Sequence, residues 1–354
     1  MAIFVVSRIG VLLVASAVSD NANFPLSHAL LNWDGHWYMA AAAGYVHNIP
    51  PGTGDTAQSN LGFFPVLPIL MQLVHLMLGI GYGRSGLLVG FAAGLSASVA
   101  VWWMLHDTEG VGGADRGTTL LLFSPGAFVL SMVYSEGLLI TAVAGVMLAL
   151  RRRRWVTAGL LAAVASATDP LGIAALLPCA LAARAAIRRD GDWRAVAAPA
   201  LAPLGVIAFF AYLWAWVGTP FAWFIAQRRG WQGGSPGTSI PSQWVWVVRY
   251  GFSNPNDTIK AAGFLVVAVM LVYFIRTKPE AILIAYVAGV LFIAALSPII
   301  GWTPRVALRA FPLVAVVGAR LPRPWYRPTV GVSALTMAAV ASLAWGAAAI
   351  PFTP

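Results

Sequence analysis

Long apolar stretches follow one another along almost the whole chain, parted by short connections that hold most of the charge. A helix needs roughly 20 apolar residues to cross a bilayer. The pattern predicts about eleven crossings, several of them short, at 2–18, 85–105, 118–133, 137–150, 155–168, 170–184, 196–217, 258–275, 280–297, 305–320 and 329–348. The predicted fold class is therefore an all-α polytopic membrane protein, one integral-membrane domain over residues 1–354. No tandem repeat of fixed period interrupts it. The first apolar run contains Arg8, which is costly at mid-bilayer and is expected to snorkel toward the cytoplasmic end.

Between the first two crossings lies the longest polar-aromatic connection, Ser19 to Leu61, followed by the apolar stretch Phe63 to Ile80. Whether that stretch spans decides the side of every later loop. If it spans, Arg151 to Arg154 and the Arg184/Arg188/Arg189/Arg194 connection fall outside, against the positive-inside tendency. If it lies along the outer surface, both clusters fall inside, with Arg276-Thr277-Lys278 and the run from Arg320 to Arg327. The second topology is expected, since Pro65 and Pro68 interrupt the segment early, where an interfacial helix tolerates them. It places the N-terminus inside and the C-terminus outside. The first outer loop, 19–84, then carries juxtamembrane helices, and the other aromatic-rich outer connections are 218–257 and 298–304.

Composition sharpens this picture. With 59% hydrophobic and 10% charged residues and a mean hydropathy of +0.78, no segment is left for a separate soluble domain. The net charge of +10 reports topology, so nucleic acid is not an expected partner and the lipid bilayer is. Only Lys260 and Lys278 among the 22 basic residues are lysine, and abundant Ala, Arg and Trp fit a high-GC bacterium. The single Cys179 excludes an intrachain disulfide framework. Met1 to Val18 lacks the basic start and small-residue cleavage site of a removable signal.

Only 12 acidic residues compete for catalytic work. Asp34 stands in Asn32-Trp33-Asp34-Gly35-His36-Trp37-Tyr38, which predicts a short interfacial helix ending at Gly44-Tyr45. On such a helix Trp33 and Trp37 share a face, as do Asp34 and Tyr38. The aromatic face suits the headgroup layer, and the carboxylate is placed as a general base or simply faces water beside an aromatic anchor. Glu136, in Tyr134-Ser135-Glu136, ends an apolar hairpin and needs a partner, as a tie to the first loop or as a substrate contact. Asp169 precedes Pro170 and reads first as a turn opening.

The outward basic residues fall in two groups. Gln227-Arg228-Arg229, inside the aromatic-rich run from Gly218 to Trp231, suits a phosphate at the bilayer surface or ordinary headgroups. Arg305 and Arg309 share one helical face at an outer mouth, placed for a second phosphate, for sugar hydroxyls, or for a bridge to Glu136. Phosphate-loop, dinucleotide and zinc motifs are missing. No cofactor is evident and no metal ligand is assigned, though a divalent metal stays open.

Four pieces in chain order resemble the GT-C superfamily of membrane glycosyltransferases, in particular the bacterial branch related to the PIG-V mannosyltransferases. They are Trp33-Asp34-Gly35-His36-Trp37-Tyr38 with Gly44-Tyr45, Phe63-Phe64-Pro65-Val66-Leu67-Pro68, Ser124-Pro125-Gly126-Ala127-Phe128 leading to Tyr134-Ser135-Glu136, and Pro304-Arg305 with Phe311-Pro312. At Asp169 the sequence departs from the family, which tends to carry Arg there. The resemblance implies a polyprenyl-phosphate sugar donor, most often of mannose, a lipid-linked or glycan acceptor, and inversion at the anomeric carbon. It also implies a site on the outer face and two surface-parallel helices in the first outer loop; with the bacterial composition, a plasma-membrane location with the site facing the periplasm is expected. Asp34 becomes the base. Arg305, then Arg228 and Arg229, then Arg309 become candidates for the donor phosphate, with His36, Trp37, Tyr38, Tyr134, Glu136 and Gln227 as further substrate contacts. A lipid-linked glycan flippase and an inactive scaffold of a transferase complex are the competing functions.

Overall fold

The computed structural model describes residues 1–231, 249, 255–296 and 304–346. Among these, every regular element is helical. In chain order they are α1 (Ala2–Ala22), α2 (Leu26–Leu31), α3 (Asp34–Ala43), α4 (Val66–Leu78), α5 (Tyr82–Leu122), α6 (Glu136–Arg151), α7 (Trp155–Thr168), α8 (Leu176–Asp190), α9 (Ala197–Leu201), α10 (Leu204–Val217), α11 (Ala222–Gly230), α12 (Pro255–Arg276), α13 (Ala281–Leu296), α14 (Pro304–Arg309), α15 (Phe311–Arg320) and α16 (Arg323–Trp345). Among the described residues, five helical stretches are long and apolar enough to cross a membrane: Ala2–Ala22, Tyr82–Leu122, Pro170–Asp190, Trp193–Val217 and Arg323–Trp345. Most of the outer connections predicted at 218–257 and 298–304 lie outside the described residues.

α5 is a hairpin. Gly110 sits at φ 66°, a left-handed conformation that glycine adopts without strain, and there the chain reverses. Beyond it the indole nitrogen of Trp102 donates to Asp115 Oδ1 at 2.7 Å, and Leu105 packs over Gly117. One continuous run of helix thus serves both the 85–105 stretch and the beginning of the 118–133 stretch. α15 sits at the centre of the bundle, with every residue from Phe311 to Ala319 buried. Its Pro312 falls in the first turn, where the missing N–H has no helical partner to lose.

Two layers of charge mark the two ends of the bundle. At one end the basic connections meet acidic partners: Arg151 with Glu280 at 2.8 Å, Arg152 with Asp107 at 3.5 Å, Arg153 with Asp190 at 2.6 Å, and Arg320 with Glu109. Arg116 joins them by donating to the carbonyls of Ala319 and Leu321. Glu136 begins α6 and Arg151 ends it, so the Glu136 layer lies at the opposite end.

The first loop leaves and rejoins the bundle at that opposite end. Val18, near the end of α1, lies beside Gly346, and Trp33 Nε1 donates to the nearby carbonyl of Ala344 at 2.9 Å. At the other boundary Gly83, near the start of α5, lies against Leu31 and Met39. Residues 23–81 therefore start and finish at one end of the bundle, and α4 between them is about 20 Å long at 1.5 Å per residue. The arginine distribution predicts that this end faces outward.

Arg8 departs from expectation. It does not snorkel to an end of the bundle but is buried, donating to the carbonyls of Ala127 at 2.7 Å and Leu122 at 3.1 Å and to the Ser131 hydroxyl at 3.2 Å. The physical reason is local. α5 stops at Leu122, and the irregular chain that follows turns unpaired carbonyls inward, where a guanidinium can satisfy them. In protein with Cys179 replaced by Ala, a cysteine at 152 or 188 is expected to resist a membrane-impermeant thiol reagent in intact cells while one at 55 reacts. Labelling at 152 or 188 from outside would overturn the side assignment.

Candidate active site

Three carboxylates, each at the start of a helical element, converge on two guanidinium groups. Asp34 opens α3, Glu136 opens α6, and Asp169 caps the 3₁₀ turn from Pro170 to Ala175 by accepting from Leu171 N at 2.9 Å. Such positions favour negative charge, because the first N–H groups of a helix have no internal partner. Arg305, in α14, bridges two of them: Nε donates to Glu136 Oε1 at 2.6 Å, and Nη1 lies 2.8 Å from Asp34 Oδ2. Arg309, one turn later, continues the chain, with Nη2 at 3.2 Å from Glu136 Oε1 and 2.9 Å from Asp169 Oδ2. The order is Asp34–Arg305–Glu136–Arg309–Asp169. When all five are ionised it carries one negative charge in excess.

Exposure separates the members. The side chains of Glu136 and Asp169 are 0% and 1% exposed, whereas that of Asp34 is 29% exposed. Only Asp34 among the three carboxylates presents an open side. Arg305 is held from a third direction, its guanidinium carbon 4.6 Å from the centre of the Tyr134 ring. The backbone of Asp34 donates to the Tyr134 hydroxyl at 3.4 Å, and the Tyr38 hydroxyl donates to Ser135 Oγ at 2.9 Å. Burial, reinforced by the negative charge of Asp34, pushes both tyrosine hydroxyls well above their ordinary range, so they remain protonated. Burial also raises the Asp169 carboxyl, against the opposing pull of Arg309.

The local chain explains how Asp34 is aimed. Trp33 adopts φ 57° and ψ −125°, unusual for a residue with a side chain, and its N–H donates to Asn32 Oδ1 at 2.8 Å. The helix therefore starts after Trp33. Trp33 and Trp37 consequently do not share a helical face as expected: the first indole reaches the end of α16, and the second stacks near Phe63 at 6.2 Å between centroids. Asp34 and Tyr38 do face the same hairpin, 133–136. α3 closes at Gly44, φ 141°, where the sequence places its end.

Gly126 has a further role that the Ser124-Pro125-Gly126 pattern does not announce. A Cβ built there would approach the Pro304 carbonyl to 2.5 Å and Arg305 N to 3.0 Å. The absent side chain is what lets α14 lower Arg305 onto Glu136.

The other expected site residues behave differently. Gln227 Nε2 donates to the Gly62 carbonyl at 3.0 Å, tying α11 to the first loop. Arg229 Nη1 donates to the Pro50 carbonyl at 3.3 Å, and Arg228 is exposed. Neither joins the ion-pair chain. α11 nevertheless adjoins α3, since Trp231 lies edge-on to Trp37 at 5.8 Å. His36 is exposed and edge-on to Trp37. Asp169 opens the turn before Pro170, as the sequence predicts, and it also holds Arg309, which no local pattern reveals. Among the described residues no group of three or more His, Cys, Asp or Glu is arranged to hold a metal ion.

No protein-family model and no curated protein matches the chain. Solved structures do. ArnT from Cupriavidus metallidurans bound to undecaprenyl phosphate aligns over 97% of this chain and 76% of its own, with a TM-score of 0.55 and 15% identity. Its apo state aligns over 87% and 74%, with a TM-score of 0.52 and 14% identity. The apo form of the Archaeoglobus fulgidus oligosaccharyltransferase aligns over 96% of this chain and 56% of that one, with a TM-score of 0.53 and 15% identity. At these identities the likeness is one of fold. The chain shares the fold of ArnT and of this oligosaccharyltransferase.

The geometry sets an order of stability. Glu136→Gln leaves two buried guanidinium groups short of their shared anion and is expected to lower unfolding free energy by about 3–5 kcal/mol. Asp34→Asn, at a half-open position, is expected to cost clearly less. Thermal unfolding of both variants in one detergent measures the difference, and equal losses would contradict the burial order.

Proposed function

We propose that the protein is an inverting glycosyltransferase that moves a sugar, mannose by family resemblance, from a polyprenyl-phosphate donor to a lipid-linked or glycan acceptor at the outer face of a bacterial plasma membrane. The single observation that carries this reading is that Asp34 alone among the clustered carboxylates is both fixed and open. Its Oδ2 is tied to Arg305, which is itself tied to the buried Glu136, and its remaining surface faces out. A general base needs that combination of fixed geometry and access.

The reaction is a single displacement. Asp34 takes the proton of the acceptor hydroxyl, and the oxygen attacks the anomeric carbon from the face opposite the leaving group. The bond from that carbon to the phosphate oxygen breaks, its electron pair leaves with the polyprenyl phosphate, and the configuration inverts. Of the two roles open to Arg305, the bridge fits better, because its side chain is 8% exposed and already engaged by two carboxylates. It acts as a positioning residue for Asp34. Arg228 and Arg229 are better placed for the donor phosphate. They lie on α11, which reaches α3 through Trp231 and Trp37, and Arg228 is exposed. The likeness to ArnT with undecaprenyl phosphate bound supports a lipid-phosphate donor.

The eleven crossings and the surface placement of α3 and α4 belong to this proposal, with α1, the two arms of α5 and the later helices as spans. The transporter alternative requires ionisable residues along a path across the bundle. The ion pairs described here instead form two layers, one at each end.

The test is transfer of radiolabelled sugar from polyprenyl-phosphate mannose into lipid extract by purified protein, beside Asp34→Asn at matched folding. A loss of about 10²- to 10⁴-fold in the variant is expected. Transfer unchanged in the variant would remove Asp34 as the base, and no transfer by the wild type with a broad set of donors would remove the enzyme.

A further inference from the structure

An open groove of about 460 Å³ lies between α1 and α5 beneath α2. Leu12, Leu88 and Phe91 wall it, and all three are exposed on the outer surface of the bundle, so the groove is reached from the hydrocarbon phase. Two arginines line it as well, Arg8 and Arg84. Neither has an acidic partner among the described residues. Every acceptor of Arg8 is neutral: two backbone carbonyls and the hydroxyls of Ser7 and Ser131. Arg84 is exposed and makes no hydrogen bond or ion pair there. Arg116, at the other end of the bundle, likewise holds only carbonyls, so what sets the groove apart is that two guanidinium groups without a carboxylate line one apolar surface.

The chemistry that answers both features is a lipid with an anionic head group. A phosphate offers oxygens to the planar fork of Arg84, and in a medium of low dielectric constant the fixed charge of Arg8 adds attraction across the groove. The hydrocarbon chain fills the walls. The position then selects which lipid. Leu30 closes the groove, its carbonyl accepts from Val133 N at 3.4 Å, and the chain runs from it directly into Trp33 and Asp34. α11, which carries Arg228 and Arg229, packs instead on the 50–62 segment, none of which lines the groove. Two lipids are thereby given separate seats.

We infer that the groove between α1 and α5 seats the acceptor, a lipid bearing a phosphate in its head group, with the phosphate at Arg84 and the chain along Leu12, Leu88 and Phe91. This rests on the transferase reading above.

Lipid binding and transfer are measured separately. Purified protein is exchanged into phosphatidylcholine nanodiscs containing a graded fraction of phosphatidylglycerol, and retained lipid is read by native mass spectrometry. The wild type is expected to retain phosphatidylglycerol over phosphatidylcholine. Arg84→Glu, and independently Leu88→Trp, which fills the groove, are expected to weaken retention at least about tenfold. Both positions are exposed, so folding is preserved. Equal retention of the two lipids, or retention unchanged in both variants, overturns the groove. In the transfer assay the labelled product is expected in the anionic fraction on ion exchange, and label confined to neutral lipid overturns the acceptor assignment. Selective retention with no transfer from any donor overturns the transferase reading and the acceptor role together, while the anionic-lipid seat stands.

Discussion

Charge buried beside a membrane must be paired, and that constraint organises the end of the molecule where its chemistry is proposed. Isolated, each guanidinium or carboxylate here would cost several kcal/mol to bury. Alternation along Asp34, Arg305, Glu136, Arg309 and Asp169 offsets that cost only while every member keeps its place. The chain draws on α3, α6, α14 and the turn before α8, elements far apart in sequence. Removing one member leaves its neighbours uncompensated, so the geometry at Asp34 is enforced from the core outward.

The fold supplies the approach distances this arrangement needs. Gly126 lets the start of α14 press onto the hairpin that ends in Glu136, and Gly86 and Gly90 let α5 receive Val133 and Met132 behind it. Trp33, held in a left-handed conformation and anchored to the end of α16, fixes where α3 begins and hence where the Asp34 carboxylate projects. At the other end of the bundle the ion pairs are more exposed, and such pairs contribute little individually. Their value is topological, since they gather the basic connections on one side.

Much of this was legible in the sequence. Asp34 stands out because few acidic residues exist, and Gly44 marks the end of α3. What escaped depends on contacts between distant segments or on backbone groups without a side-chain signature. Asp169 reads locally as a turn before Pro170, and only the tertiary fold brings Arg309, 2.9 Å away, to its carboxylate. Arg8 finds its partners in carbonyls freed where α5 ends, which apolar periodicity does not encode. Trp33 looked like a helical residue because spacing alone carries no information about a left-handed start.

Asp34 is coupled to the buried core through one guanidinium, that of Arg305. The most direct measurement is a double-mutant cycle in thermal unfolding between Asp34→Asn and Glu136→Gln, residues joined through Arg305. Coupling through a shared partner predicts an interaction free energy of about 0.5 kcal/mol or more. Additive losses, agreeing within about 0.3 kcal/mol, would mean that the carboxylates act independently and that the core does not position the base.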